Sequence, residues 1–202
     1  MDESVLIRSA QGGDLEAFNT LVLAYQDMLF STALRILGDD ELAADATQDA
    51  FISAFRGINS YRGGSFKAWL LRTVTNTCYD ELRRRKRRPT TPLEPDASDG
   101  DELDAPRWLA DPALTPEQSA EALELEHAIQ HCLNNLPLEF RTVVVMADLQ
   151  GLDYTEVAVA VRAPLGTIKS RLARARLRLR ECLQGFRELL PSAFRLEGEL
   201  AE

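Results

Sequence analysis

Between Thr167 and Arg180 the chain carries Thr167, Lys169, Ser170, Arg171, Ala173, Arg174, Arg176 and Arg180, spread over about four turns if the segment is helical. Projected at 100° per residue, Thr167, Ser170, Ala173 and Arg174 form a narrow strip of small or hydrogen-bonding side chains. Lys169, Arg176 and Arg180 flank it on one side, Arg171 and Arg178 on the other. A slim polar centre with cationic edges suits the major groove of duplex DNA, where the centre approaches base edges and the edges reach phosphates. A solvated arginine-rich helix would show the same run of charge.

Three further groups could do chemistry. Asn59, Tyr61 and Arg62 lie on the glycine-rich stretch GINSYRGGS, and Trp69, Arg72, Asn76, Tyr79 and Arg83 follow at spacings that stack them along a helix. Cations serve phosphates, amides serve base edges and rings stack on unpaired bases, so this set fits opened nucleic acid; the alternative is that Trp69 and Tyr79 rim a core. Glu41, Asp45 and Asp49 recur every four residues with Gln48 among them. That acidic stripe has three readings: a metal or acid–base site, which lacks a histidine or convergent third ligand nearby, a solvated face, or a docking face for a basic partner helix. Finally, His127 and His131 sit one turn apart beside Cys132, a spacing that could hold a metal if a carboxylate joined them.

The elements that must position these groups all read as helices. A short helix over residues 4 to 11 stops at Gly12-Gly13, and Asp14 then caps an amphipathic helix with Phe18, Leu21, Val22, Tyr25, Leu29 and Ala33 on its apolar side. Gly38 ends it, and Asp39-Asp40 caps the helix of the acidic stripe, which turns Leu42, Ala46, Ala50 and Phe51 inward. Ser65 caps a helix from Phe66 to about Arg88 that buries Phe66, Leu70, Thr73, Val74 and Thr77. Helix resumes at Glu117 with the stripe Ala122, Leu125, Ile129, Leu133 and Leu136, and Pro137 opens PLEFRTVVVMADLQG, which Gly151 closes. Asp153 with Glu156 spells a capping box, Pro164 interrupts, and a second helix from near Leu165 buries Ile168, Leu172, Ala175, Leu179 and Leu183: a helix-turn-helix.

The 202 residues suffice for one ordinary core or two small ones, and two all-α domains are expected. Net charge is −9, which repels phosphate as a whole, yet 13 of the 23 Lys and Arg fall in two acid-free blocks, Arg83 to Arg88 and Arg162 to Arg180. Between the halves, TTPLEPDASDGDELDAPRWLADPALTP reads as a flexible acidic linker whose sticky point is Trp108-Leu109. No apolar run approaches the roughly 18 residues of a membrane span and no signal peptide heads the chain, so no membrane insertion and a cytoplasmic location are expected. Cys78, Cys132 and Cys182 are an odd number far apart, read as reduced thiols.

With both halves in view, the chain resembles the extracytoplasmic-function (ECF) group of bacterial RNA polymerase sigma factors. The first half carries Asp45, Gln48, Phe51, Tyr61-Arg62, Phe66, Trp69-Leu70, Asn76, Asp80 and Arg83. The second carries Leu136-Pro137, Arg141, Gly151, Tyr154, Glu156-Val157-Ala158, Pro164, Gly166 to Leu172 and Arg174-Ala175-Arg176. The resemblance implies sigma region 2 over 1–88, linker over 89–116, sigma region 4 over 117–190 and a tail over 191–202. It implies that Glu41, Asp45, Gln48 and Asp49 dock on the clamp helices of core RNA polymerase, with the flap as a second contact. Asn59, Tyr61, Arg62, Trp69, Arg72, Asn76, Tyr79 and Arg83 would recognise and hold open the −10 element, and the Thr167 to Arg180 set would read the −35 element. An anti-sigma factor is an implied partner; catalysis, cofactor and metal are not implied. Ala173 stands where some relatives carry a large side chain, so the −35 preference does not transfer. The competing readings are an operator-binding helix-turn-helix regulator, which would need a dimer interface and a sensor, and a metal-dependent nuclease built on Asp45 and Asp49.

Overall fold

Four aspartates start four of the helices. In the computed structural model, which describes residues 2–87 and 116–191 apart from the side chains of 116–118, Asp2, Asp14, Asp39 and Asp153 sit at N-caps and accept hydrogen bonds from amides of the following turn. A carboxylate there satisfies donors that lack an intrahelical partner and faces the positive end of the helix dipole. In chain order the elements are α1 (Glu3–Gln11), α2 (Leu15–Leu37), α3 (Asp40–Gly57), a 3-10 turn (Ile58–Ser60) and α4 (Phe66–Arg87). Then come α5 (Pro116–Asn134), α6 (Leu138–Val144) running into a π turn (Val145–Leu149), α7 (Tyr154–Val161), α8 (Leu165–Leu183) and a last 3-10 turn (Gln184–Phe186). No strand occurs among the described residues. The expected linker, Trp108 and Leu109 included, and the expected tail lie outside the described residues but for Pro116 and Pro191 at their edges.

The first unit packs α1 to α4 around Phe18, Leu21, Leu29, Ile36, Phe66 and Leu70. Buried Ala43, Ala46, Ala50 and Ala54 give α3 a smooth face, so α2 and α4 approach it closely. In the second unit, Ile168, Leu172 and Ala175 of α8 bury against an apolar set that includes Val143, Val145, Met146 and Val157. The two cores are continuous. Arg35 of α2 reaches Glu126 (2.6 Å) and Gln130 (3.1 Å) of α5, Arg141 donates to the Ile36 carbonyl at 2.7 Å, and Tyr79 meets the Thr142 hydroxyl at 3.0 Å.

This packing corrects several expectations. Thr73 and Thr77 are only half-buried and bond back to the carbonyls of Trp69 and Thr73. The buried side of α4 is Phe66, Leu70, Leu71, Val74, Thr75 and Cys78, because α4 is covered from two directions and Thr75 turns toward Met146 of the second unit. A helix covered twice buries a wider arc than one amphipathic stripe. In α5, Ala122, Leu125 and Ile129 are half-buried while Ala128 and Cys132 join Leu133 and Leu136 in the interior. Cys132 and Cys182 form a disulfide between α5 and α8 instead of staying reduced. Their separation of 50 residues hid the contact, since only folding brings the two helices' C-terminal ends together. Cys78 remains a free thiol, pushed up to about 12 by burial.

Candidate nucleic-acid interface

The helix-turn-helix is assembled by local chemistry. Asp153 accepts from the amides of Thr155 and Glu156, both at 2.8 Å, while Glu156 returns a carboxylate to the Asp153 amide at 3.0 Å, the reciprocal pattern of a capping box. Arg162 ends α7 in the left-handed region, φ 54°, which bends the chain into Pro164 and the start of α8. Ile168, Leu172 and Ala175 then fix the roll of α8, turning Lys169, Ser170, Ala173, Arg174 and Arg180 to the surface. Thr167 and Arg171 are half-buried at the edges.

The cations on α8 divide into two kinds. Among the described residues, no ion pair or hydrogen bond engages the side chains of Lys169, Arg174 or Arg180. Arg171 pairs with Glu139 at 2.6 Å, and the Arg178 guanidinium lies 5.3 Å from the Phe140 ring centre. Arg176 grips both oxygens of Asp148, at 2.9 and 2.6 Å, and reaches the Tyr154 hydroxyl at 3.4 Å. Those hydrogen bonds push its pKa up further and hold it charged.

In the first unit, the loop after the 3-10 turn is pinned from behind. The Gln11 side chain donates to the carbonyls of Ile58 and Tyr61, both at 3.1 Å, and Gly63 and Gly64 take φ values of 100° and 92° that favour glycine. Ser65 accepts from the Ala68 amide at 3.0 Å and so starts α4 as expected. Trp69 stacks on Phe66 (5.4 Å, 22°), with Tyr61 edge-on to both, so Trp69 is a rim residue of the core and a surface ring at once. Burial raises the Tyr61 phenol above its ordinary value, and its hydroxyl donates to the Gly64 carbonyl at 2.7 Å.

Asn59, Arg62, Asn76 and Arg83 are exposed, and Arg72 is half-buried. Tyr61, Arg62, Trp69 and Arg72 line a crevice of about 330 Å³ whose far wall is α7, with Glu156 and Val159. Asn76, Tyr79 and Arg83 line a second hollow of about 410 Å³ against Val161 and Arg162. The residues expected at the −10 element, apart from Asn59 on the 3-10 turn, therefore line hollows that face α7, with Tyr79 committed to Thr142.

Glu41, Asp45, Gln48 and Asp49 are exposed along α3. The last three border a hollow shared with Asp80, Glu81, Arg84 and Arg87, and Glu81 pairs with Arg84 at 2.6 Å and Arg85 at 3.5 Å, which tempers the basic block. No group of three or more His, Cys, Asp or Glu side chains able to hold a metal occurs among the described residues. Cys132 is committed to its disulfide, and the His131 ring lies edge-on to Phe186 at 5.7 Å. Sequence reasoning missed Gln11, Glu139 and Asp148, whose partners lie 28 to 50 residues away and leave no periodic signal.

Comparison with known proteins gives the family and the fold. The profile of Sigma-70 region 2 matches residues 21–88 and that of Sigma-70, region 4, matches residues 126–179. The RNA polymerase sigma-H factor of Pseudomonas aeruginosa is 36% identical over 184 residues, covering 89% of this chain and 92% of the relative. The ECF RNA polymerase sigma-E factor of Escherichia coli K12 is 34% identical over 181 residues, covering 87% and 91%. In fold, the chain is similar to CnrH in its complex with the cytosolic domain of CnrY (TM-score 0.63, 22% identity, 90% of this chain and 96% of that one). It is similar as well to the sigma factor RpoE of Bartonella quintana, in complex with the anti-sigma factor NepR (TM-score 0.62, 24% identity, 84% and 98%). The chain belongs to the ECF group of the sigma-70 family of RNA polymerase sigma factors. Its function is that of an alternative sigma factor in promoter recognition. No helix among the described residues is long and apolar enough to cross a membrane.

Proposed function

We propose that residues 1–88 dock on core polymerase and hold the melted −10 element, and that residues 117–190 read the −35 element, the segments 89–116 and 191–202 serving as linker and tail. The observation that carries this reading is the pair of separate surfaces with different chemistry. Tyr61, Trp69, Arg62 and Arg72 offer rings and cations beside a crevice, which suits unstacked bases. Ser170, Arg174 and Lys169 offer a narrow polar strip with free cations, which suits a duplex groove. Glu41, Asp45, Gln48 and Asp49 form the exposed acidic docking face for the clamp helices, and the flap contacts the second unit. The chain catalyses nothing itself and works in the cytoplasm, where transcription takes place. CnrH and the Bartonella RpoE were solved with CnrY and with NepR, and a partner of the anti-sigma kind is proposed here as well.

Because α7 walls the crevice, the isolated chain should bind opened −10 DNA poorly, and core polymerase should part α4 from α7. Run-off transcription with purified core polymerase over a promoter library tests the assignment. Promoter-specific transcripts are expected with the wild-type chain, and a large drop in core affinity with Asp45→Lys/Asp49→Lys at unchanged thermal stability. Absence of any transcript and of any complex with core would overturn it.

A further inference from the structure

Arg176 sits on the helix proposed to face the groove and is exposed, yet its guanidinium is engaged along the surface by Asp148 and Tyr154. We propose that Arg176 is a positioning residue: Asp148 and Tyr154 hold it as a clasp that sets the orientation of α8, and it is not one of the phosphate contacts. The inference rests on the reading of α8 as the −35 reader.

Three observations support it. The contact to Asp148 is bidentate, with Nε and one terminal nitrogen matched to the two carboxylate oxygens, the fork geometry that restrains direction as well as distance. Asp148 belongs to the π turn Val145–Leu149, where the Gln150 amide reaches back five residues to the Val145 carbonyl at 2.9 Å. A π turn inserts one extra residue and rotates the backbone beyond it, and such turns recur at functional positions. Tyr154, the third member, is the first residue of α7, so one guanidinium ties the recognition helix to both elements that precede it. Lys169, Arg174 and Arg180 carry no such ties and remain available to phosphates and bases.

A phosphate contact and a clasp differ in how salt acts on them. Each phosphate neutralised contributes about 0.9 to the slope of log affinity against log salt, whereas an internal ion pair contributes nothing to counterion release. Clasp loss instead tilts the strip of Ser170 and Arg174 away from the bases and lowers the preference for the right sequence.

The test uses the full chain reconstituted with core polymerase on duplexes selected by the wild-type holoenzyme from a pool randomised at −35. Affinities for a selected and a scrambled duplex are measured over a range of KCl for wild type, Arg176→Gln, Asp148→Asn, their double variant and Lys169→Gln. Both single clasp variants should weaken binding to the selected duplex by about five- to tenfold, compress the selected-to-scrambled ratio by the same factor and keep the wild-type salt slope. The double variant should be no worse than either single one. Lys169→Gln should lower the slope by about 0.9. A slope lowered by Arg176→Gln with Asp148→Asn silent, or a lowered melting point with an unchanged ratio, would each overturn the clasp. If the wild-type holoenzyme selects no −35 sequence, the parent reading fails, and hydrogen exchange in the free chain judges the clasp alone. Faster exchange across Leu165–Leu183 in both single variants, no faster in the double, supports it; unchanged exchange overturns it.

Discussion

Arg141 closes two helices with one side chain. One terminal nitrogen donates to the Ile36 carbonyl at 2.7 Å near the end of α2, the other to the Asn134 carbonyl at 2.7 Å at the end of α5. Helix C-termini expose carbonyls without intrahelical donors and carry a partial negative charge, so a cation bridging two of them joins the units through their backbones. Burial pulls the guanidinium pKa below its ordinary value and leaves its Nε without a partner, yet arginine keeps its charge in proteins. Arg141→Ala strands those carbonyls and should cost about 2–3 kcal/mol in urea unfolding. Arg141→Lys, with one nitrogen in place of a fork, should recover only part of that loss. The position was visible in the sequence as a family residue, but nothing in its neighbours told that its acceptors included Ile36, 105 residues away.

Helix boundaries were legible because their causes are local. Asp14, Asp39 and Asp153 cap where their spacing to the apolar stripes says, and Gly38 and Gly151 take the left-handed backbone expected after a helix. The π turn was not legible, because MADLQG continues the helical pattern of α6 and the elements packed against the turn, α2 and α7 among them, lie outside the segment. The burial of Thr75 and the half-burial of Thr73 escaped for the same reason: the second unit decides which side of α4 is inside. The α7 cap makes a pH prediction. Hydrogen bonds from the Thr155 hydroxyl and the Glu156 amide hold the Asp153 carboxyl below its usual range. Its contribution is therefore fully present above about pH 4, the ordinary aspartate value, and is lost as pH falls through the lower folded value. In thermal melts, the difference between wild type and Asp153→Ala should be constant above about pH 4 and shrink below it.

At the scale of the whole chain, the two units and the disulfide set what moves together. Cys132–Cys182 closes a loop of 50 residues that contains α6, α7 and most of α8, so α8 is tied covalently to α5. Chain-entropy arguments give such a closure about 4 kcal/mol, with 2–4 common in practice. Reduction by dithiothreitol, or Cys132→Ser, should lower the unfolding midpoint of the second unit, and an unchanged midpoint would contradict the bond's role. The seam between α4 and α7 is the part of the setting that the sequence left out: Trp69, Arg72 and Arg83 read as groups suited to opened nucleic acid, but nothing in their spacing placed α7 opposite them. The π turn lies where these relations meet: Asp148 holds Arg176, and the Gln150 carbonyl accepts from Lys67 of α4 at 2.6 Å. Deleting a single residue between Val145 and Leu149 would restore an ordinary α turn and swing the following backbone by about 100°. Asp148 would miss α8 and Gln150 would miss α4 in the same stroke. Here the chain counts its own residues, and a length change of one is a larger event than most substitutions.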